Sequence, residues 1–309
     1  MVEIFLRTLP FFFIIGLGFW AGRSKFFSPE ATAYLTKFVF YFALSAMLFR
    51  FSANLSLRDV YDGNLVLGYL WASAFVYGIA TLIAFLRRLD VSTTAVEAQC
   101  AVIGNTGFLG LPMFVVLFGE AAVGPIMLIL AVDLVVFSSL IVILITASRD
   151  GRMSLSVLRT IGLGLIQNPM IVAICLGFAW SAAAIPIPRP MNDFLSILGG
   201  AATPGALFAI GASLAEKSAE RMVIAGWLSF CKLVVHPIFV AIGLLILFPV
   251  DPFSAAVVIS ASALPVAGNV YILAQHYGVA PQRVSTAILL STMVSILTVP
   301  VVIASFNPV

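Results

Sequence analysis

Apolar runs of about twenty residues recur along the whole chain, separated by short polar joints. They lie near 3–22, 31–51, 65–86, 93–118, 122–147, 160–184, 192–214, 222–248, 253–277 and 283–306. A helix needs about 20 apolar residues to cross a bilayer, so the pattern predicts ten transmembrane helices. The first run lacks a basic leader and a small-residue cleavage site, and reads as a retained helix. Two of the runs contain breaks in their own pattern: residues 104–113 read GNTGFLGLPM and residues 263–271 read ALPVAGNVY. Within a helix each glycine costs about 1 kcal/mol against alanine and each proline about 3 kcal/mol. Both stretches are therefore poor continuous helix.

The pattern is written twice. PFFFIIGLGF (10–19) returns as PMIVAICLGF (169–178), 159 residues later, and at the same shift SAMLF (45–49) falls on PGALF (204–208). The Gly–Asn pair at 104–105 returns at 268–269, a shift of 164. Three matches in order predict two five-helix halves, 1–150 and 151–309. Because five is odd, the second half starts from the opposite side of the membrane, and the repeats are inverted, the recurrent plan of secondary transporters.

Composition removes the other broad classes. Only 9% of residues are charged, against roughly 25% in soluble domains, so the chain cannot clothe a water-facing surface. The three cysteines (Cys100, Cys175, Cys231) all fall inside spans without metal-ligand spacing and read as packing residues. No metal site or cofactor is expected. The net charge of +3 reports topology rather than nucleic-acid binding. Joints after spans 1, 3, 5, 7 and 9 hold Arg23, Lys25, Arg87, Arg88, Arg149, Arg152, Arg159, Lys217, Arg221 and Arg283; the opposite joints hold only Arg50, Arg58 and Arg189. Basic loops stay in the cytoplasm, which puts both termini on the non-cytoplasmic side. There is no HExxH, GxSxG or GxxxxGK[ST] sequence, so neither an enzyme nor an ATP-driven pump is expected.

Irregular backbone at membrane depth survives only where protein or a water-filled cavity meets its polar groups. Two such breaks at matching positions point to a midplane binding site. The half-helix after each break offers free N–H groups and a positive dipole end to an anion. Asn105 and Asn269 add neutral donors and acceptors that are cheaper to desolvate than ions. The alternative is that these glycines and prolines serve only packing and kinks.

GNTGFLGLPM, ALPVAGNVY, the Asn168–Pro169 pair and TPGALFAIGASL (203–214) together resemble the auxin efflux carrier family, whose bacterial members include malate and malonate permeases. The resemblance covers essentially the whole chain. It implies an all-α fold of ten transmembrane helices in two inverted repeats, with helices 4 and 9 broken and crossing near Pro112 and Pro265. It also implies that Asn105 and Asn269 face the substrate, within a binding set of Asn105, Thr106, Gly107, Pro112, Pro265, Gly268, Asn269 and Tyr271. Its substrates are mostly organic carboxylates, its setting the bacterial inner membrane, and it favours a homodimer. One departure is Ser45, where relatives usually carry proline, although its repeat mate is Pro204.

Ionisable residues inside spans are functional candidates by default. Asp133 lies mid-span; it is a candidate coupling-proton carrier, because desolvation penalises the charged form of a carboxyl, or else a structural acid with a lysine or polar partner. Lys232 and His236 share a helix face. The lysine is read as attracting an entering anion or as snorkelling to headgroups, and the histidine as bonding backbone loosened by Pro237 or as relaying protons. Glu97 lies two turns before Asn105 and is a candidate vestibule residue. Lys37 and Arg7 read as snorkelling near span ends, and His276 as interfacial. The leading expectation is a secondary transporter of small organic anions such as malate, malonate or auxin-like acids. A sodium-coupled symporter of the bile-acid type is the nearer alternative, and a channel or membrane sensor the further one.

Overall fold

A computed structural model of the chain describes residues 2–55, 60–150, 155–215 and 222–306. Arg58, Arg152, Lys217 and Arg221 lie outside them, and the boundary expected at 150/151 adjoins the undescribed 151–154. The described residues are helical, with no strand. Seven helices are long and apolar enough to cross a membrane: α1 (Val2–Arg23), α2 (Pro29–Ala53), α3 (Gly63–Leu86), α6 (Glu120–Ser148), α9 (Arg189–Ala215), α10 (Met222–Leu247) and α13 (Pro281–Ser305). The other three expected runs are each divided. They give α4 (Val91–Val102) with α5 (Thr106–Phe118), α7 (Leu155–Gln167) with α8 (Pro169–Ala182), and α11 (Pro252–Ser262) with α12 (Gly268–His276).

Local chemistry sets these ends. Side-chain oxygens of Ser28, Asp62, Asp90, Asn168 and Asp251 accept the first free amides of α2, α3, α4, α8 and α11, as N-caps do. At Asp90 the bond from the Thr93 amide, 2.8 Å long, holds the carboxyl below its usual range. Between α7 and α8, Pro169 has no N–H for the ladder, and Asn168 turns its side chain to the Met170 amide at 3.0 Å.

Glycines decide which helices touch closely. A side chain at Gly18 or Gly211 would strike the backbone carbonyl of Phe208 or of Ile15, so α1 and α9 meet backbone to backbone. Gly177 of α8 lies against Ser52 and the Phe49 carbonyl of α2, and Gly68 of α3 faces Gly243 of α10. Such small-residue seams hold membrane helices together by close packing. The helices α1, α2, α8 and α9 form one panel, while α3, α4, α6, α10, α11 and α13 form a bundle. The panel meets the bundle through α1 and α9 against α13 and the start of α5. Every residue from Thr94 to Val102 and from Ala255 to Ser262 is buried. The small Ala, Ser and Val side chains of α4 and α11 make the bundle's innermost helices.

Several helices loosen to a wide turn with i to i+5 hydrogen bonding, at Val39–Ala43, Asp133–Phe137 and Cys231–Val235. Just beyond each of the first two a serine donates back to the carbonyl five residues earlier: Ser45 to Phe40 at 3.1 Å and Ser138 to Asp133 at 3.1 Å. Ser45 thus serves α2 as a local bond where a proline would only remove one. The third turn ends just before Pro237, which has no amide for the regular ladder. Wide turns of this kind recur at functional positions.

Candidate functional site

The segments 103–105 and 265–267 pair in the buried interior. After α4, Ile103 turns extended (φ −78°, ψ 111°), and Gly104 forms an antiparallel bridge with Val266. The Asn105 amide donates to the Pro265 carbonyl at 2.8 Å, and the Ala267 amide to the Ile103 carbonyl at 3.0 Å. One offset, 104 to 266 or 162 residues, exchanges these two bonds. It is two residues shorter than the offset that aligns the Gly–Asn pairs. In this local two-fold pairing Asn105 exchanges places with Ala267. The crossing is held by backbone bonds that any side chain permits. Pro265 sits in the bridged stretch, while Pro112 lies in the first regular turn of Leu111–Phe118, beyond the wide turn Thr106–Gly110.

A cavity of about 880 Å³ adjoins the crossing. Asn105, Gly268, Asn269 and Tyr271 line it together with Phe108 and Gln275. Thr32, Thr36 and Lys37 of α2, Ala206, Ile210 and Ser213 of α9, and Gln282 of α13 complete its walls. Asn105 is 6% exposed; it precedes α5, and its carbonyl accepts from the amides of Leu109 and Gly110. Asn269 stands in the first turn of α12, where its Oδ1 is buried without a hydrogen bond. The first turn of α12 has no side-chain cap, and a side chain at Gly268 would enter open space. The amides of that turn are thus available to an anion.

Four of the eight residues expected to bind substrate line this cavity. Thr106, Gly107, Pro112 and Pro265 do not. Thr106 is buried and donates to the Gly104 carbonyl at 3.4 Å, and Gly107 packs against Met170. Lys37, Gln275 and Gln282 were not singled out as lining residues. The available signal was Thr32, Thr36 and Lys37 in the first three turns of α2, within an otherwise apolar run.

The charged candidates gather elsewhere. Behind the crossing, Tyr69 donates to Asp133 Oδ1 at 2.9 Å, Ser73 Oγ meets His236 Nε2 at 2.9 Å, and Lys232 Nζ lies 3.1 Å from His236 Nδ1. Lys232 Nζ also donates to the Ser262 carbonyl, at the last turn of α11, where a cation meets the negative helix end. Lys232 and His236 are fully buried and Asp133 is 2% exposed. Lys232 therefore neither snorkels to headgroups nor lies open to an entering anion, and His236 bonds the side chains of Ser73 and Lys232 together with the Ser262 backbone. A side chain at Gly104 would lie 3.0 Å from Lys232 Cε, so the lysine would have to shift by a few tenths of an ångström to admit one. Glu97, read as a vestibule residue, is 2% exposed and bonded by Arg87 at 2.7 Å and by Arg283 at 2.5 Å. Among the cysteines Cys100 and Cys231 are buried, and Cys175 is exposed on α8.

Sequence comparison finds relatives over nearly the whole chain. The profile of the family described as "Membrane transport protein" matches residues 3–303. A protein of Rhizobium meliloti named "Putative malonate transporter" is 28% identical over 305 residues, covering 97% of this chain and 94% of the relative. "Uncharacterized transporter YfdV" of Escherichia coli is 23% identical over 97% of both chains. The rice protein "Probable auxin efflux carrier component 5a" is 20% identical over 95% of this chain and 94% of its own. The chain belongs to the membrane transport protein family that includes the auxin efflux carriers.

Proposed function

We propose that this protein is a secondary transporter of small organic anions, working by alternating access around the crossing of 103–105 with 265–267. The observation that carries the proposal is the cavity at this crossing, lined by Asn105, Gly268 and Asn269. No arginine lines it among the described residues, so neutral amides and backbone dipoles hold the carboxylate there. Partial charges of about half a unit at a helix end bind more weakly than a bidentate arginine. Affinity is accordingly on the order of micromolar to millimolar, which also permits release. The relatives named for malonate and auxin support a carboxylate cargo.

The proposal takes 1–150 and 151–309 as inverted repeats. The symmetric bonds at the crossing support this, and so do the helix pairs. If α1 and α2 correspond to α7–α8 and α9, the contacts α1–α9 and α2–α8 exchange with each other, and Gly68 faces Gly243 across the relation between α3 and α10. The bundle would then rock against the panel of α1, α2, α8 and α9. The cavity reaches Pro29 and Pro281, beside the joints that carry basic residues, so in the proposed orientation it opens to the cytoplasm and both termini lie on the far side.

A thermal-shift screen of mono- and dicarboxylates on the purified protein tests the reading. Asn105→Ala and Asn269→Ala should each weaken the stabilisation by a verified ligand at least about tenfold in apparent affinity. Wild-type binding in both folded variants contradicts the site. Uptake independent of sodium separates the proposal from a bile-acid-type symporter.

A further inference from the structure

Among the described residues lining the cavity, Lys37 contributes the only charged side chain. It lies in the third turn of α2, which Ser28 starts by capping the Ala31 amide at 3.2 Å. Thr32 and Thr36 line the cavity one turn apart, and so do Ala33 and Lys37 beside them. Among the described residues Lys37 forms no ion pair; its Nζ lies 5.7 Å from the Tyr34 ring centre. Asn105, Gly268 and Asn269 belong to the crossing, on a different wall. The cavity therefore holds two separate poles for negative charge. One is built from neutral amides and a helix start, and the other is a full cation on the panel.

We propose that Lys37 determines the charge class of the cargo, by receiving a second carboxylate while the first sits at Asn105 and Asn269. The inference rests on the organic-anion reading given above and adds a specificity residue to it. A monocarboxylate satisfies the crossing and leaves the lysine to water. A dicarboxylate engages both walls and brings a second charge-assisted contact, stronger than a neutral hydrogen bond. Because Lys37 stays hydrated, the gain is that of a partly exposed ion pair and not of a buried one. The apolar remainder of the lining, Phe108, Ile210 and Ala206, contacts the carbon skeleton between the two acids.

The test compares acids of equal carbon number, malonate with propionate and succinate with butyrate, by calorimetry on wild type, Lys37→Gln and Lys37→Arg. Wild type should prefer the dicarboxylate of each pair. Lys37→Gln should lose roughly two- to fivefold for the dicarboxylate, the range of a partly exposed ion pair, with the monocarboxylate unchanged, and Lys37→Arg should keep the preference. Equal loss for both acids, or loss for neither, overturns the assignment. Wild type that binds the monocarboxylates as tightly as the dicarboxylates overturns Lys37 and leaves the anion transporter standing. Wild type that binds no carboxylate overturns both.

Discussion

Asn105 and Asn269 were visible as candidates because each follows a glycine in an otherwise apolar run, and each lines the cavity. Lys37 was not, because the apolar pattern starts its span near residue 31 and makes the lysine look close to an end. Ser28 and Pro29 start the helix earlier, and its first three turns carry the polar residues Thr32, Thr36 and Lys37 that wall the cavity. Asp133 shows what one residue can carry when a helix widens. Its Oδ1 takes the Tyr69 hydroxyl, and its Oδ2 is buried without a hydrogen bond. Asn is nearly isosteric and retains an oxygen for Tyr69, but it cannot exchange a proton. Asp133→Asn should fold and show a flattened pH dependence of uptake if this acid carries the coupling proton. An unchanged pH profile in the folded variant removes Asp133 from coupling, and loss of folding assigns it to structure.

Among the elements, the ends of helices were better marked in the sequence than their contacts. Caps such as Asp62, Asp90 and Asp251 and the Asn168–Pro169 pair are local signals. Contacts between helices depend on which glycines face a partner, and sequence alone does not distinguish Gly16 from Gly18. In the structure a side chain at Gly16 meets nothing within 4 Å, whereas one at Gly18 strikes the Phe208 carbonyl. Overpacking a tight contact costs about 1–3 kcal/mol and sometimes more. Gly18→Leu should therefore lower the melting temperature of the detergent-purified protein by several degrees or prevent its accumulation, while Gly16→Leu should melt like wild type. Equal behaviour of the two would contradict the α1–α9 seam. The register of the crossing was illegible for a related reason. It is set by amide-to-carbonyl bonds at Ile103, Asn105, Pro265 and Ala267, and no side chain encodes it.

For the molecule as a whole, hydropathy, repeat and motif led to a membrane transport family, and the comparisons agree. Its energetics follow from where polar groups were buried. Lys232, His236, Ser73, Tyr69 and Asp133 place a polar network beside the crossing, and such a network rigidifies its surroundings when its members are bonded. Glu97 joins Arg87, just beyond α3, to Arg283 in the first turn of α13. These contacts link α3, α4, α6, α10, α11 and α13 within the bundle, and the panel meets it through α1 and α9. Motion between the two is what the transport proposal requires. Counterflow in proteoliposomes tests it most directly. Vesicles loaded with an unlabelled carboxylate that binds the protein should take up the labelled acid faster than empty vesicles, and Asn105→Ala and Asn269→Ala should abolish the acceleration. Uptake that ignores the internal acid would contradict alternating access and describe a channel.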